Sequence, residues 1–208
     1  MKERATVMLL GDSDGVKCRP FVVFKTKPST IPATAAENTR LRYGFGKQIW
    51  KDVSAAHQEQ QLEIYGNLKG WWNGYLSVQF LKYHFGVRKE MHITILLLWD
   101  DFSGHWTEEV VSYAKSINVV LMKVPPSATS VCQPADVAWN YPFKARLRDC
   151  WVTNLRDQLR AHTIGKKFEL KAPDRGTIAR WIRSAWDGLS AATIANGYKK
   201  AYGTLLNW

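Results

Sequence analysis

Little in these 208 residues can cross-link the chain or carry it into a lipid bilayer. Cysteine occurs three times, at Cys18, Cys132 and Cys150, too few and too scattered for a disulfide framework, and no CxxC or Cys/His spacing offers a zinc site. The longest nearly unbroken apolar run, residues 93–99, is far below the roughly 20 residues that a membrane helix needs. The first residues carry no signal-peptide core. These absences predict a soluble intracellular protein in a reducing compartment with no membrane partner. Internal repeats and low-complexity tracts are lacking as well, and 46% hydrophobic with 23% charged residues is an ordinary globular balance, so one domain over residues 1–208 is expected.

Negative charge is also scarce. Eighteen Asp+Glu face 29 Lys+Arg, for a net charge of +11 and a pI near 9.6. Residues 137–208 alone hold thirteen Lys/Arg against five Asp/Glu. A summed field of this sign attracts polyanions and makes nucleic acid the leading partner class. A merely solvated basic surface is the bland alternative.

Residues 6–10 and 21–25 read as two short strands, joined through Gly11-Asp12-Ser13-Asp14-Gly15 as an antiparallel hairpin. Residues 26–39, with Pro28 and Pro32, read as a surface loop. Residues 61–65 suggest another short strand, and residues 75–85 a helix closed by Gly86. Residues 93–98 are apolar at nearly every position, the pattern of a central strand covered on both faces. Thr107-Glu108-Glu109 is a good helix start, and residues 119–124 form the next strand, stopped by Pro125-Pro126. Strand, helix, strand predicts a parallel βαβ crossover.

The strongest helical period runs through Trp139, Phe143, Leu147, Cys150, Trp151, Leu155 and Leu159. Pro142 inside it means that the helix begins near Asn140 or that its first turn is bent. Ile178, Trp181, Ile182, Ala185 and Trp186 make a further amphipathic helix, and residues 193–202 a last short one.

Two carboxylates stand out. Asp100 directly follows the apolar strand, at the carboxyl end where open α/β sheets usually build their sites. Asp136 stands at the entrance to the long helix. Taken singly, each also reads as a turn or helix cap. Taken together, hard oxygen ligands of this kind could hold Mg²⁺ or Mn²⁺ for phosphoryl transfer.

The string Ile95-Leu96-Leu97-Leu98-Trp99-Asp100-Asp101-Phe102-Ser103-Gly104-His105, then Val124-Pro125-Pro126 and Thr129-Ser130 through Gln133-Pro134-Ala135-Asp136, resembles the DDE superfamily endonuclease domain of pogo, Tigger and jerky type transposases. The 36 residues from Asp100 to Asp136 fit the spacing that family uses between its second and third acids. Residues 5–15, Asn67-Leu68-Lys69-Gly70-Trp71 and residues 181–203 resemble outlying segments of the family, and residues 27–56 form a poorly matched, loop-rich insertion. The resemblance implies an α/β, RNase H-like mixed sheet flanked by helices, with three antiparallel strands followed by two parallel ones. It implies two-metal phosphodiester chemistry with Mg²⁺ or Mn²⁺, a DNA partner, a nuclear location and Asp100 and Asp136 as catalytic metal ligands. Asp101, where the family often has Asn, and His105 would be outer-shell groups.

The family's first catalytic acid lies on a strand before the hairpin, and these residues leave no room for it ahead of Ala5. The expectation is an N-terminally truncated or decayed domain. Asp12 and Asp14 are no substitutes, because an Asp-Gly turn explains them.

Lys144, Arg146, Arg148, Arg156 and Arg160 follow Asp136 along the long helix and could neutralise phosphates. Of the ten tryptophans, Trp139, Trp151, Trp181 and Trp186 fall on helical core faces. Trp50, Trp208 and the pair Trp71-Trp72 lie outside those faces, and the pair is open to either core packing or stacking on unpaired bases. Two functions remain in view: a metal-dependent nuclease that cuts or joins DNA, and a catalytically silent, domesticated DNA-binding remnant. An unrelated α/β enzyme using Asp136 with His105 would lack a nucleophile. No helix-turn-helix module is seen, and a homodimer is left open.

Overall fold

The computed structural model describes residues 4–163 and 165–205, so Trp208 lies outside it. In chain order the elements are β1 (Ala5–Met8), β2 (Phe21–Lys25), α1 (Pro32–Arg42), α2 (Lys47–Glu59), β3 (Glu63–Asn67), α3 (Gly74–Phe85), β4 (Ile95–Trp99), α4 (Glu108–Ser116), β5 (Val119–Lys123), α5 (Thr129–Cys132), α6 (Asn140–Arg160), α7 (Arg175–Asp187) and α8 (Ala191–Leu205). They divide into two compact units. One holds the residues up to Leu9, Arg19–Trp71 and Asn140–Ser190; the other holds Leu10–Cys18, Trp72–Trp139 and the residues from Ala191 on.

The first unit is built on β2, whose Phe21, Val22, Val23 and Phe24 are fully buried. β1 pairs with it antiparallel, as the hairpin reading expects. β3 pairs with it in parallel, which corrects the expectation of three antiparallel strands. The cause is the connection between them. A parallel return needs a crossover of a dozen or more residues, usually helical, and residues 32–59 supply one as α1 and α2 rather than the expected loop.

Pro32 does not prevent this, because it occupies the first turn of α1, where an amide would have no intrahelical acceptor. Gly44 ends the α1 turn with φ +94°, and a Cβ there would run into the carbonyl oxygen of Gly66, so only glycine suits the position. α7 packs on both α2 and α6, burying Ile182, Ala185 and Trp186. Trp186 and, in the second unit, Trp139 are core residues as expected; Trp151 and Trp181 are half-buried.

In the second unit β4 and β5 run parallel with α4 between them in sequence, so the βαβ crossover is present. Thr107 caps α4 by accepting from the Val110 amide, and Glu108 and Glu109 occupy its first turn. β4 departs from the doubly covered reading. Leu97 and Trp99 are buried, while Leu96 is 49% exposed beside its cross-strand partner Val120 at 50%. A short apolar run cannot by itself distinguish one covered face from two; the strand covered on both faces is β2.

α3 begins where Asn73 accepts from the Leu76 amide and ends at Gly86. Among the described residues no helix is long and apolar enough to cross a membrane, and none of the three cysteines forms a disulfide.

His84 on α3 stands 4.5 Å edge-on to Phe80, and its Nε2 has no hydrogen-bond partner. Burial pushes its pKa down to about 4, against about 6.5 in the unfolded chain. Between those values the unfolded chain binds a proton that the folded chain refuses, so stability is full above about pH 6.5 and falls as the pH drops toward 4. His84→Phe keeps the ring and removes the proton site. The drop in Tm from pH 7.5 to pH 5 is expected to be smaller in H84F than in the parent; equal drops would contradict this account.

Candidate functional site

Asp100 leaves β4 at its carboxyl end. Its Oδ1 accepts the Phe102 amide at 3.0 Å, and its carbonyl accepts Trp106 Nε1 at 2.9 Å, so the turn after the strand fixes its backbone and one carboxylate oxygen. The same Oδ1 lies 3.4 Å from His105 Nε2. The side chain is about one-third exposed, and Oδ2 makes no hydrogen bond or ion pair among the described residues.

His105 is 1% exposed, lying flat on Trp99 at 4.0 Å between ring centroids. Its Nδ1 is 3.0 Å from Ser77 Oγ, which also receives the Trp72 indole N–H at 2.9 Å. Burial pushes the His105 pKa down to about 4, so the ring is neutral at pH 7 and carries a single N–H. A proton on Nε2 faces the carboxylate and leaves Nδ1 to accept from the Ser77 hydroxyl; the other tautomer would set a lone pair against Asp100. Trp72 thus donates to Ser77, whose hydroxyl is shared between His105 Nδ1 and the Asn73 carbonyl at 3.2 Å, while the Nε2 edge of the buried His105 faces the partly exposed Asp100.

Asp101 turns elsewhere. Its Oδ1 pairs with Lys123 Nζ at 2.8 Å, and that ammonium also sits 4.6 Å from the Trp106 ring centroid. Lys123 is brought there by register, since it stands opposite Trp99 in the parallel pair. Sequence reasoning missed Lys123 and Ser77 and left Trp72 open between core packing and base stacking. Only Lys123 had a usable signal, through the strand register; nothing in the sequence couples Ser77 to His105.

Asp136 is exposed and lies in a single π-helical turn, Ala135–Trp139, that leads directly into α6. Pro142 explains the wide turn: it lacks an amide, and its ring would clash with the carbonyl four residues back, at Ala138. Thus the helix starts at Asn140 and the turn before it is distorted. Trp139, 3% exposed, anchors this turn by donating from Nε1 to the Ile194 carbonyl of α8 at 3.1 Å. Asp100 and Asp136 therefore share the second unit.

Carboxylate oxygens, one of them unengaged, are the donors that Mg²⁺ and Mn²⁺ prefer. The donor type fits, although among the described residues no three His, Cys, Asp or Glu side chains gather into a metal-binding group.

Lys144, Arg146, Arg148, Arg156 and Arg160 are all exposed on α6, in the first unit. At about 100° per residue, Lys144 and Arg148 are neighbours on one side, and Arg156 with Arg160 lie farther round. Arg146 lies nearly opposite Lys144, its guanidinium against Gly188. The five cations form no single stripe.

A mixed α/β chain with a carboxylate at the end of a parallel strand, in the motif context described above, is what an acid-dependent nuclease domain presents. A family model for the DDE superfamily endonuclease matches residues 2–198, and the chain belongs to that family. It is 28% identical over 207 residues to a Homo sapiens protein, "Pogo transposable element with KRAB domain", and 27% identical to the Mus musculus protein of the same name. Each match covers 97% of this chain and 29% of the relative, so the chain spans under a third of their length. No solved structure matches the chain.

His105→Ala is expected to destabilise the fold by about 2–4 kcal/mol, because it removes a buried ring stacked on Trp99 and leaves a cavity. Urea unfolding would measure it; a loss below about 1 kcal/mol would contradict this packing.

Proposed function

We propose that this chain is a transposase-derived, DNA-binding endonuclease domain with an RNase H-like fold, working in the nucleus. Its ancestral chemistry is metal-dependent cleavage and strand transfer of DNA phosphodiesters. The observation that carries the reading is Asp100 itself: a strand-end carboxylate with one oxygen fixed by the Phe102 amide and beside His105 and the other unengaged, in a chain of this family.

Asp100 and Asp136 would hold Mg²⁺ or Mn²⁺, which when bound would activate the attacking oxygen and offset charge on the leaving one. The neutral His105 ring orients the Asp100 carboxylate without competing for the cation by its own charge. Asp101, paired with Lys123, balances charge beside the site. The exposed cations of α6 neutralise phosphates on the bound strand.

A second reading is a catalytically inactive, domesticated DNA-binding remnant. It is favoured by one observation, the lack of a three-ligand group among the described residues. Nicking of supercoiled DNA by the purified chain in Mn²⁺ separates the two. The first reading expects metal-dependent nicking that Asp100→Ala abolishes; nicking no greater than in D100A would replace it with the second.

A further inference from the structure

The sequence leaves Trp71 and Trp72 equivalent, and the structure separates them. Trp72 is buried, while Trp71 is 54% exposed. Its backbone is held by Asn67, whose Oδ1 accepts the amides of Lys69, Gly70 and Trp71 and whose Nδ2 donates to the Trp71 carbonyl at 2.7 Å. Thr6 Oγ1 fixes the same turn by donating to the Gly70 carbonyl at 2.8 Å. Gly70, at φ +67°, lies so close to Lys25 that a Cβ would stand 2.9 Å from the Lys25 nitrogen.

The surroundings of this ring are cationic. The Arg4 guanidinium is 5.9 Å and the Lys69 ammonium 5.5 Å from its centroid, at the outer limit of cation–π attraction, so neither is tightly bound to it. Lys25 is exposed beside Gly70, and Arg175 Nη2 donates to the Lys25 carbonyl at 3.0 Å. Asp174, next to Arg175 in sequence, is occupied in capping α7 through the Thr177 amide. An exposed indole on a rigid turn, with Arg4 and Lys69 at its ring and Lys25 packed beside Gly70, is the combination that single-stranded nucleic acid requires: a stacking surface for a base and charges for the flanking phosphates.

We propose that Trp71 is a stacking platform for an unpaired base of a DNA strand, with Arg4, Lys25 and Lys69 taking the phosphates on either side. The proposal rests on the reading of the chain as DNA-binding and adds to it the state of the DNA, frayed or single-stranded. The site is separate from the α6 cations named from the sequence.

Binding of labelled DNA by the whole chain tests it, using a blunt duplex, the same duplex with a short single-stranded tail, and a tail of abasic residues. The parent is expected to bind the base-containing tail more tightly than the blunt or abasic DNA. Trp71→Ala should lose about five- to a hundredfold in affinity for the tailed DNA only, and Trp71→Phe should retain most of it. A circular-dichroism melt unchanged in W71A keeps folding out of the comparison; an altered melt is answered by W71F, which then must still discriminate base-containing from abasic tails. Parent-like binding of tailed DNA by W71A, or equal losses on all three DNAs, overturns the platform and leaves DNA binding standing. Failure of the parent to bind any of the DNAs overturns both.

Discussion

A histidine kept neutral by burial holds the carboxylate on which the functional reading turns. Asp100 lies 3.4 Å from His105 and alone would favour a charged imidazole. Such an attraction is worth about 4 kcal/mol at 4 Å with an effective dielectric near 20, and less where water reaches the pair, as it does at this partly exposed carboxylate. Removing an imidazolium from water costs several kcal/mol, and His105 is sealed between Trp99 and Ser77. Burial wins, and the ring acts as a fixed dipole rather than a counter-ion. The carboxylate thereby keeps its negative charge unneutralised by the histidine and one oxygen unengaged, the condition a hard cation needs.

That arrangement depends on the β4–β5 pair. The strand end delivers Asp100, the indole of Trp99 supplies the floor for His105, and the register sets Lys123 beside Asp101. The two units carry different chemistry: the carboxylates belong to the second, whereas the α6 cations and the Trp71 turn belong to the first. Both belong to a chain of the DDE superfamily endonuclease family.

Most helices were legible because their signals are local. The Thr107 cap, the Glu108-Glu109 first turn and the three-to-four spacing after Trp139 all depend on neighbours within a few residues. The long-range features were not. Residues 26–39 read as a surface loop because Pro28 and Pro32 dominate the composition, yet a proline in the first turn costs a helix nothing. Missing α1 and α2 concealed the crossover that sets β3 parallel to β2, where the family resemblance implied antiparallel strands. In the same way an apolar run over β4 could not reveal that Leu96 lacks a cover. Asp100 and His105 were marked by motif, but the contact of His105 with Ser77 joins residues 28 positions apart and left no trace in the pattern. Trp71 and Trp72 are chemically identical, and only the fold assigns one to the core and one to the surface.

The central claim is that Asp100 and Asp136 serve one cation. Mn²⁺ binding followed by electron paramagnetic resonance in the parent, Asp100→Asn, Asp136→Asn and the double variant tests it without requiring any turnover. A shared ion predicts that each single substitution weakens binding as severely as the double one. Losses that are independent and additive, or unaltered binding in D136N, would contradict it.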